Sequence, residues 1–202
     1  MIEQLILVRH AETEHNVAGI VQGWSDSALS ERGRRQTRAL ASRVAGLEPN
    51  AIFSSPLERA MTMARAIAEA TGLDIVALDD LREINLGQWE GQSYLDVRRA
   101  DPESVRRWRD DPDWACPEGE SHNDVLERMK RAFAAAAATT RPVIVTHGTA
   151  IRVGATFLLN APVLTSRHLA QDNASINLFI GRGERMILKL WNDTTHCEND
   201  ER

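Results

Sequence analysis

Arg9 and His10 follow directly on an apolar run at 5–8, and Thr146 and His147 on another at 143–145. Arg59 lies just beyond a third run, 51–53, in the first turn of an expected helix. Two guanidiniums and two imidazoles gathered together make an anion site. Arginine presents a rigid fork that matches phosphate oxygens, and a helix N-terminus beside Arg59 adds backbone donors and a favourable dipole. Phosphoryl transfer needs a nucleophile in line with the leaving oxygen and positive charge around the equatorial oxygens. One histidine and the other cationic groups can divide that work. Spacing alone leaves open which histidine attacks; Arg9 beside His10 favours a neutral, nucleophilic imidazole and leans the choice to His10. The strongest local candidate for a proton donor is Glu83, where the charged pair Arg82-Glu83 interrupts an apolar stretch. Like charge from a bound phosphate dianion would favour a protonated carboxyl there, ready to serve a leaving alkoxide. The bland reading of Glu83 is a surface salt bridge with Arg82.

The elements that must position these residues follow from the same runs. Short apolar, β-branched runs with few charges are the pattern of strands buried on both faces, and ligands in open α/β sheets sit beyond the carboxyl ends of such strands. The two histidines should therefore face one crevice. Ser55 suits an N-cap, Pro56 a first helical position and Glu58 a capping box, so a helix is expected from there to Gly72, followed by a strand at 74–78. An arginine-rich helix is expected over 30–44. Between residues 86 and 141 no strand signal appears, only helical pieces broken at Pro102, Pro112 and Pro117, which reads as a helical insertion whose last helix is capped by Ser121. A helix over 150–159 and a hairpin of strands at 176–180 and 186–190 close the sheet, and the tail from Thr194 to Arg202 reads as frayed.

Composition bounds the rest. At 202 residues, 43% of them hydrophobic, the chain can bury one sizeable core and is expected to form a single domain over 1–202. A formal net charge of −5 supplies no global basic field for nucleic acid or an anionic membrane, so an anionic substrate needs a local basic pocket. The N-terminal residues show no basic leader before a long apolar run, and no stretch approaches a membrane span. Cys116 and Cys197 lie far apart without CxxC spacing, the pattern of a reduced, cytoplasmic protein with two incidental thiols.

The stretch Leu7-Val8-Arg9-His10-Ala11-Glu12-Thr13 with Asn16 resembles the signature of the histidine phosphatase superfamily, the phosphoglycerate-mutase-like enzymes. The stretch from Gln22 and Gly23 to Ser30 resembles the loop that follows it. Ser55-Pro56-Leu57-Glu58-Arg59-Ala60 resembles the second phosphate-binding element, and Thr146-His147-Gly148 the closing motif. Asn173-Ala174-Ser175 and Asn192-Asp193-Thr194 are similar to the C-terminal pattern. Four motifs in order, agreeing from about residue 4 to residue 196, carry far more weight than one. The resemblance implies an α/β fold: three layers, a mostly parallel sheet flanked by helices, with the helical insertion over the active site. It implies that His10 is phosphorylated, that Arg9, Arg59 and His147 hold the phosphate, and that Glu83 protonates the leaving group. Asn16, Gln22, Gly23 and Gly148 fall at its phosphate- or substrate-binding positions, and neither metal nor other cofactor is implied. Ala11 stands where many members carry glycine. The segment after Glu83 looks like the phosphatase branches and lacks the Tyr-Gly arrangement of the mutases, so a small phosphomonoester is the expected partner.

Three other readings compete. A phosphoglycerate mutase would need two or more basic side chains of the insertion, from Arg98, Arg99, Arg106, Arg107 and Arg109, turned to the pocket; their bland reading is a solvated face balanced by Asp101, Glu103, Asp110 and Asp111. A non-catalytic phospho-ligand binding protein is weakened because no member of the nucleophile, clamp or acid set is missing. A zinc hydrolase on His10, His15 and His147 is disfavoured by the five-residue step between the first two. His122, His168 and His196 are expected at the surface or at caps. Trp108 and Trp114 are read as packing before substrate wall, and Trp24 as the better candidate for the pocket edge. The hairpin edge could pair two subunits into a homodimer or stay capped.

Overall fold

β1 (Gln4–Arg9) is apolar throughout its middle because both of its faces are covered, and Leu5, Ile6, Leu7 and Val8 are fully buried. The computed structural model describes residues 1–200, with side chains as far as residue 197. Six strands form one sheet in the order β3-β2-β4-β1-β5-β6, with β2 (Ala51–Ser54), β3 (Ile75–Ala77) and β4 (Pro142–Thr146) parallel to β1. β5 (Ile176–Arg182) runs antiparallel to β1, and β6 (Arg185–Asp193) antiparallel to β5.

Alternation along the strands splits the core into two layers. Leu5, Leu7 and Ile144 pack with Met129 and Phe133 of α6 (His122–Ala136) and Ile151 of α7 (Gly148–Leu158). Ile6, Val8, Val143 and Val145 pack on the opposite face with Leu40 and Val44 of α2 (Glu31–Ala45) and Met63 and Ile67 of α3 (Glu58–Thr71). Removing one such side chain, as in Met63→Ala or Met129→Ala, costs about 2–5 kcal/mol. A short helix, α1 (Glu14–Ala18), is closed by a Thr13–Asn16 capping box.

The segment expected as one insertion divides in two. α6 is a layer of the main core. Only the part before it, with α4 (Tyr94–Ala100) and α5 (Pro102–Asp110), covers the sheet, and it has its own small core of Trp89, Val97, Val105 and Cys116, with Trp108 and Trp114 packed against it. The five insertion arginines are exposed; Arg99, Arg106, Arg107 and Arg109 pair with Asp96, Glu103, Asp111 and Asp110.

Three further expectations are corrected. α3 begins at Glu58 with Leu57 at its N-cap position, so Ser55 is not the cap and Pro56 is not the first helical residue; Asp26 accepts the Glu58 N–H at 2.7 Å. α7 begins at Gly148, directly after His147. The tail is not frayed at its start, because Thr195–Asp200 forms a 3-10 turn and His196 Nε2 donates to the Ala174 carbonyl at 2.9 Å; residues 201–202 lie outside the described residues. The hairpin strands run longer than expected, up to a two-residue turn, and Gly181 sits inside β5 where a Cβ would fall 2.0 Å from the Ile2 carbonyl oxygen. No helix among the described residues is long and apolar enough to cross a membrane.

Candidate active site

β1 and β4 are adjacent and parallel, with Arg9 in register with Thr146, so His10 and His147 leave the sheet side by side. Their ring centroids stand 5.1 Å apart, and both side chains are buried. The His10 Nδ1–H donates to the Ala11 carbonyl at 2.7 Å, which leaves the lone pair on Nε2. Burial, then Arg59, then Arg9 hold the His10 pKa well below 6.5, so the imidazole is neutral. His147 is held low by burial first, then Arg59, and its Nε2 lies 2.8 Å from Ser55 Oγ. Ser55, expected as a helix cap, instead orients a site histidine.

Arg59 enters from the first turn of α3 and is almost entirely buried. Its Nη1 donates to the Ser25 carbonyl and Asp26 Oδ1, both at 2.7 Å, and its Nη2 to the Gly23 carbonyl at 2.6 Å. The guanidinium thus folds the 23–26 loop over the site. Gly23 itself adopts φ +52°, and a Cβ there would fall 1.9 Å from Glu90 Oε1. Glu90 accepts the backbone N–H groups of Trp24 and Ser25 at 2.8 and 2.9 Å, pinning that loop to the insertion. Trp24 Nε1 donates to the Glu83 carbonyl at 2.7 Å, which ties the loop to the segment bearing Glu83.

Arg9 bonds the Gln171 carbonyl and lies against Gly148, with its pKa lowered to about 10, chiefly by burial. Arg9 Nε, Arg59 Nε and His147 Nδ1 are all buried with no hydrogen-bond partner among the described residues. Buried polar nitrogens without partners are rare in folded proteins, and three around one crevice suit a polyoxygen anion.

Glu83 does not pair with Arg82. Arg82 bonds Asp79 at 2.9 Å and covers the Trp24 ring at 4.9 Å, while the Glu83 carboxylate accepts the N–H groups of Thr149 and Ala150 at 3.1 Å. It sits on the N-terminus of α7, whose preceding residue is His147. Gln22 Oε1 accepts from Thr13 Oγ1 at 3.1 Å, and Asn16 Oδ1 from Asn173 Nδ2 at 3.1 Å. Asn173 Nδ2 also donates to the His10 carbonyl, and Ala174 N does so at 3.0 Å, so the segment before β5 wraps the histidine's backbone. Asp26, Glu90 and Gln171 escaped the sequence reading, since their partners lie far away along the chain. His122 was also misread: it is buried at the first turn of α6, 4.9 Å from the Trp108 ring. His15 lies on α1, away from any metal-binding arrangement; among the described residues no three His, Cys, Asp or Glu side chains form one.

Residues 5–194 match the model of the histidine phosphatase superfamily (branch 1). The chain is 37% identical to a glucosyl-3-phosphoglycerate phosphatase of Mycolicibacterium vanbaalenii over 80% of this chain and 76% of that one. It is 38% identical to a probable phosphoglycerate mutase of Erwinia tasmaniensis over 97% and 95% of the two chains. The solved structure of a mycobacterial glucosyl-3-phosphoglycerate phosphatase complexed with VO3 superposes with a TM-score of 0.87 at 33% identity, over 94% of this chain and 99% of that one. With the four motifs, the sheet and the crevice in agreement over nearly its whole length, this chain belongs to the histidine phosphatase superfamily.

Proposed function

We propose that the protein is a phosphatase that hydrolyses small phosphomonoesters by double displacement through a phosphohistidine at His10, as a single domain and without a metal or other cofactor. The observation that carries this reading is a neutral His10, its Nδ1–H engaged and its Nε2 left with the lone pair, among three buried nitrogens that lack partners among the described residues. Arg9, Arg59 and His147 hold the phosphoryl oxygens, with Asn16, Gln22, Gly23 and Gly148 shaping the pocket around them. His10 Nε2 attacks phosphorus as the ester P–O bond breaks, and Glu83 gives its proton to the departing alkoxide. Water then attacks the phosphohistidine, Glu83 takes the water's proton, the P–N bond breaks and inorganic phosphate leaves.

A mutase must hold a bisphosphorylated intermediate, which calls for several insertion cations at the pocket. Of the five insertion arginines only Arg109 lines the cavity beside Glu83 and Thr149, which favours water as the acceptor. The two reduced cysteines agree with a cytoplasmic setting, and the open β6 edge is the surface at which two copies would pair.

The test is phosphate release from a panel of phosphomonoesters in excess EDTA, with alkaline quenching to trap phosphoenzyme. Wild type should turn over and label, and His10→Ala should do neither. Activity that EDTA abolishes, with no labelled protein, would replace His10 by a metal-activated water. Conversion of 3-phosphoglycerate to its 2-isomer faster than phosphate appears would favour the mutase.

A further inference from the structure

Ser55 lies between the end of β2 and the start of α3 and is completely buried, as is His147. Its Oγ accepts the Leu57 N–H at 3.3 Å, the first backbone donor past Pro56, which has none. The same Oγ lies 2.8 Å from His147 Nε2. That hydroxyl makes no other hydrogen bond among the described residues, so His147 Nε2 is the one acceptor its hydrogen reaches there. On the other side of the ring, His147 Nδ1 is buried without a partner among the described residues, as are Arg9 Nε and Arg59 Nε.

We infer that Ser55 is a positioning residue that sets the tautomer of His147: its O–H donates to Nε2, which places the ring's one hydrogen on Nδ1 and makes that N–H a donor to a phosphoryl oxygen. A serine hydroxyl has one hydrogen and two lone pairs. Leu57 occupies one lone pair. If an Nε2–H occupied the other, a buried O–H would be left without an acceptor, a cost that folded proteins rarely bear. With Ser55 donating, its hydrogen and the Nε2 lone pair satisfy each other. Positive charge on the ring cannot do this work instead. Burial, then Arg59, hold the His147 pKa well below 6.5, so the ring is neutral and carries a single hydrogen. In the other tautomer Nδ1 would turn a lone pair towards phosphoryl oxygens, which repel it. His10 makes the opposite use of the same tautomer: its Nδ1–H is taken by the Ala11 carbonyl, and bare Nε2 is left to attack. Two imidazoles 5.1 Å apart thus present unlike atoms, one a lone pair and the other a hydrogen. For its ligand, a phosphoryl group, the inference rests on the phosphatase reading; the tautomer itself follows from the hydrogen bonds alone.

The test is long-range proton–nitrogen NMR of the whole chain labelled with nitrogen-15 in its histidines, which reads directly which ring nitrogen carries the hydrogen; His147→Ala identifies the resonances. Wild-type His147 should be protonated on Nδ1 and bare on Nε2, and bound inorganic phosphate should shift the Nδ1–H signal. Ser55→Ala should bring in the Nε2–H form and lower kcat/KM for p-nitrophenyl phosphate by about 10- to 100-fold, the range for losing a hydrogen bond to a charged group. Ser55→Thr keeps the hydroxyl and should recover most of both. In the His147→Ala background Ser55→Ala should change kcat/KM by less than about 2-fold, since a residue that acts through the ring has nothing left to act on. A full second loss there would make Ser55 a residue of the fold alone and overturn the inference. So would a wild-type His147 protonated on Nε2, whether or not any variant folds, or an Nδ1–H that bound phosphate leaves unshifted; phosphate release and phosphoenzyme at His10 would still uphold the phosphatase reading. An Nδ1–H that phosphate shifts, in a protein that hydrolyses no phosphomonoester, supports the inference and overturns the phosphatase reading.

Discussion

Arg128, which is buried, and the partly exposed Glu120 form a bidentate pair, Nε to Oε1 and Nη2 to Oε2 each at 3.0 Å, whose remaining hydrogen bonds fix the segment on both sides of Glu83. Arg128 Nη1 donates to the carbonyls of Asp80 and Arg82, and Glu120 Oε2 accepts the Asn85 N–H at 2.8 Å. Neither residue bonds the Glu83 side chain, so both act by position. Arg128→Met leaves the partly exposed Glu120 without its cation, a loss of roughly 1–3 kcal/mol. Urea denaturation should record that loss, and kcat should fall in the fraction that remains folded. An unaltered kcat in the folded fraction would show that the pair serves stability alone.

Glu83 as proton donor implies a dependence on the leaving group. Glu83→Gln should lower kcat by about 10²- to 10⁴-fold on an alkyl phosphate, the usual worth of general acid catalysis, and by far less on p-nitrophenyl phosphate, whose phenolate leaves with little help. Equal losses on both substrates would reassign Glu83 to holding the α7 N-terminus.

The buried histidines predict acid sensitivity. His10, His147 and His122 all have pKa values lowered by burial, while an unfolded histidine titrates near 6.5. Below 6.5 the unfolded chain therefore binds more protons than the folded one. Stability is fully present above pH 6.5 and declines as pH falls, by up to about 1.4 kcal/mol per pH unit for each histidine. Urea midpoints measured from pH 8 to 5 should be flat above 6.5 and drop below it. His122→Gln should make the acid limb shallower by one histidine's share; an unchanged slope would mean that His122 is protonated in the fold.

Asp26 caps α3 and partners Arg59 from a loop 32 residues earlier. Asp26→Ala should cost about 0.5–2 kcal/mol as a lost cap and should raise KM by freeing the guanidinium from its place. Asp26→Asn keeps a carbonyl for the cap and should recover most of the stability. Equal KM values for wild type and Asp26→Ala would separate the loop from phosphate binding.

The strand ends were readable because a strand buried on both faces writes an unbroken apolar run, and the residue after the run is where the chain must expose chemistry. Arg9, His10, Thr146 and His147 could be placed on that ground. α6 was misassigned although Val125, Met129, Ala132, Phe133 and Ala136 repeat at helical spacing, the mark of a core layer; the prolines before it drew it into the insertion. The cap of α3 was misread because Ser55 satisfies every local rule for one; its hydroxyl accepts the Leu57 N–H at 3.3 Å and meets His147, but the helix starts only at Glu58. Asp26, Glu90, Glu120 and Arg128 act across 8 to 66 residues of chain, and hydrophobic periodicity carries no trace of such pairings.

The antiparallel strand in this sheet has a consequence for assembly order. β1 pairs on one side with residues 143–146 and on the other with 176–180, so the strand that aims His10 is flanked by partners more than 130 residues downstream. Because β5 runs against β1, the segment entering it, with Gln171, Asn173 and Ser175, arrives at the crevice from the opposite direction. Contacts that distant form slowly, since the intervening loop must be closed before any pairing is gained. The crevice is thus completed only after most of the chain has found its place: a partly folded molecule holds His10 without the wall that tethers its backbone, and catalytic competence arrives together with the whole fold.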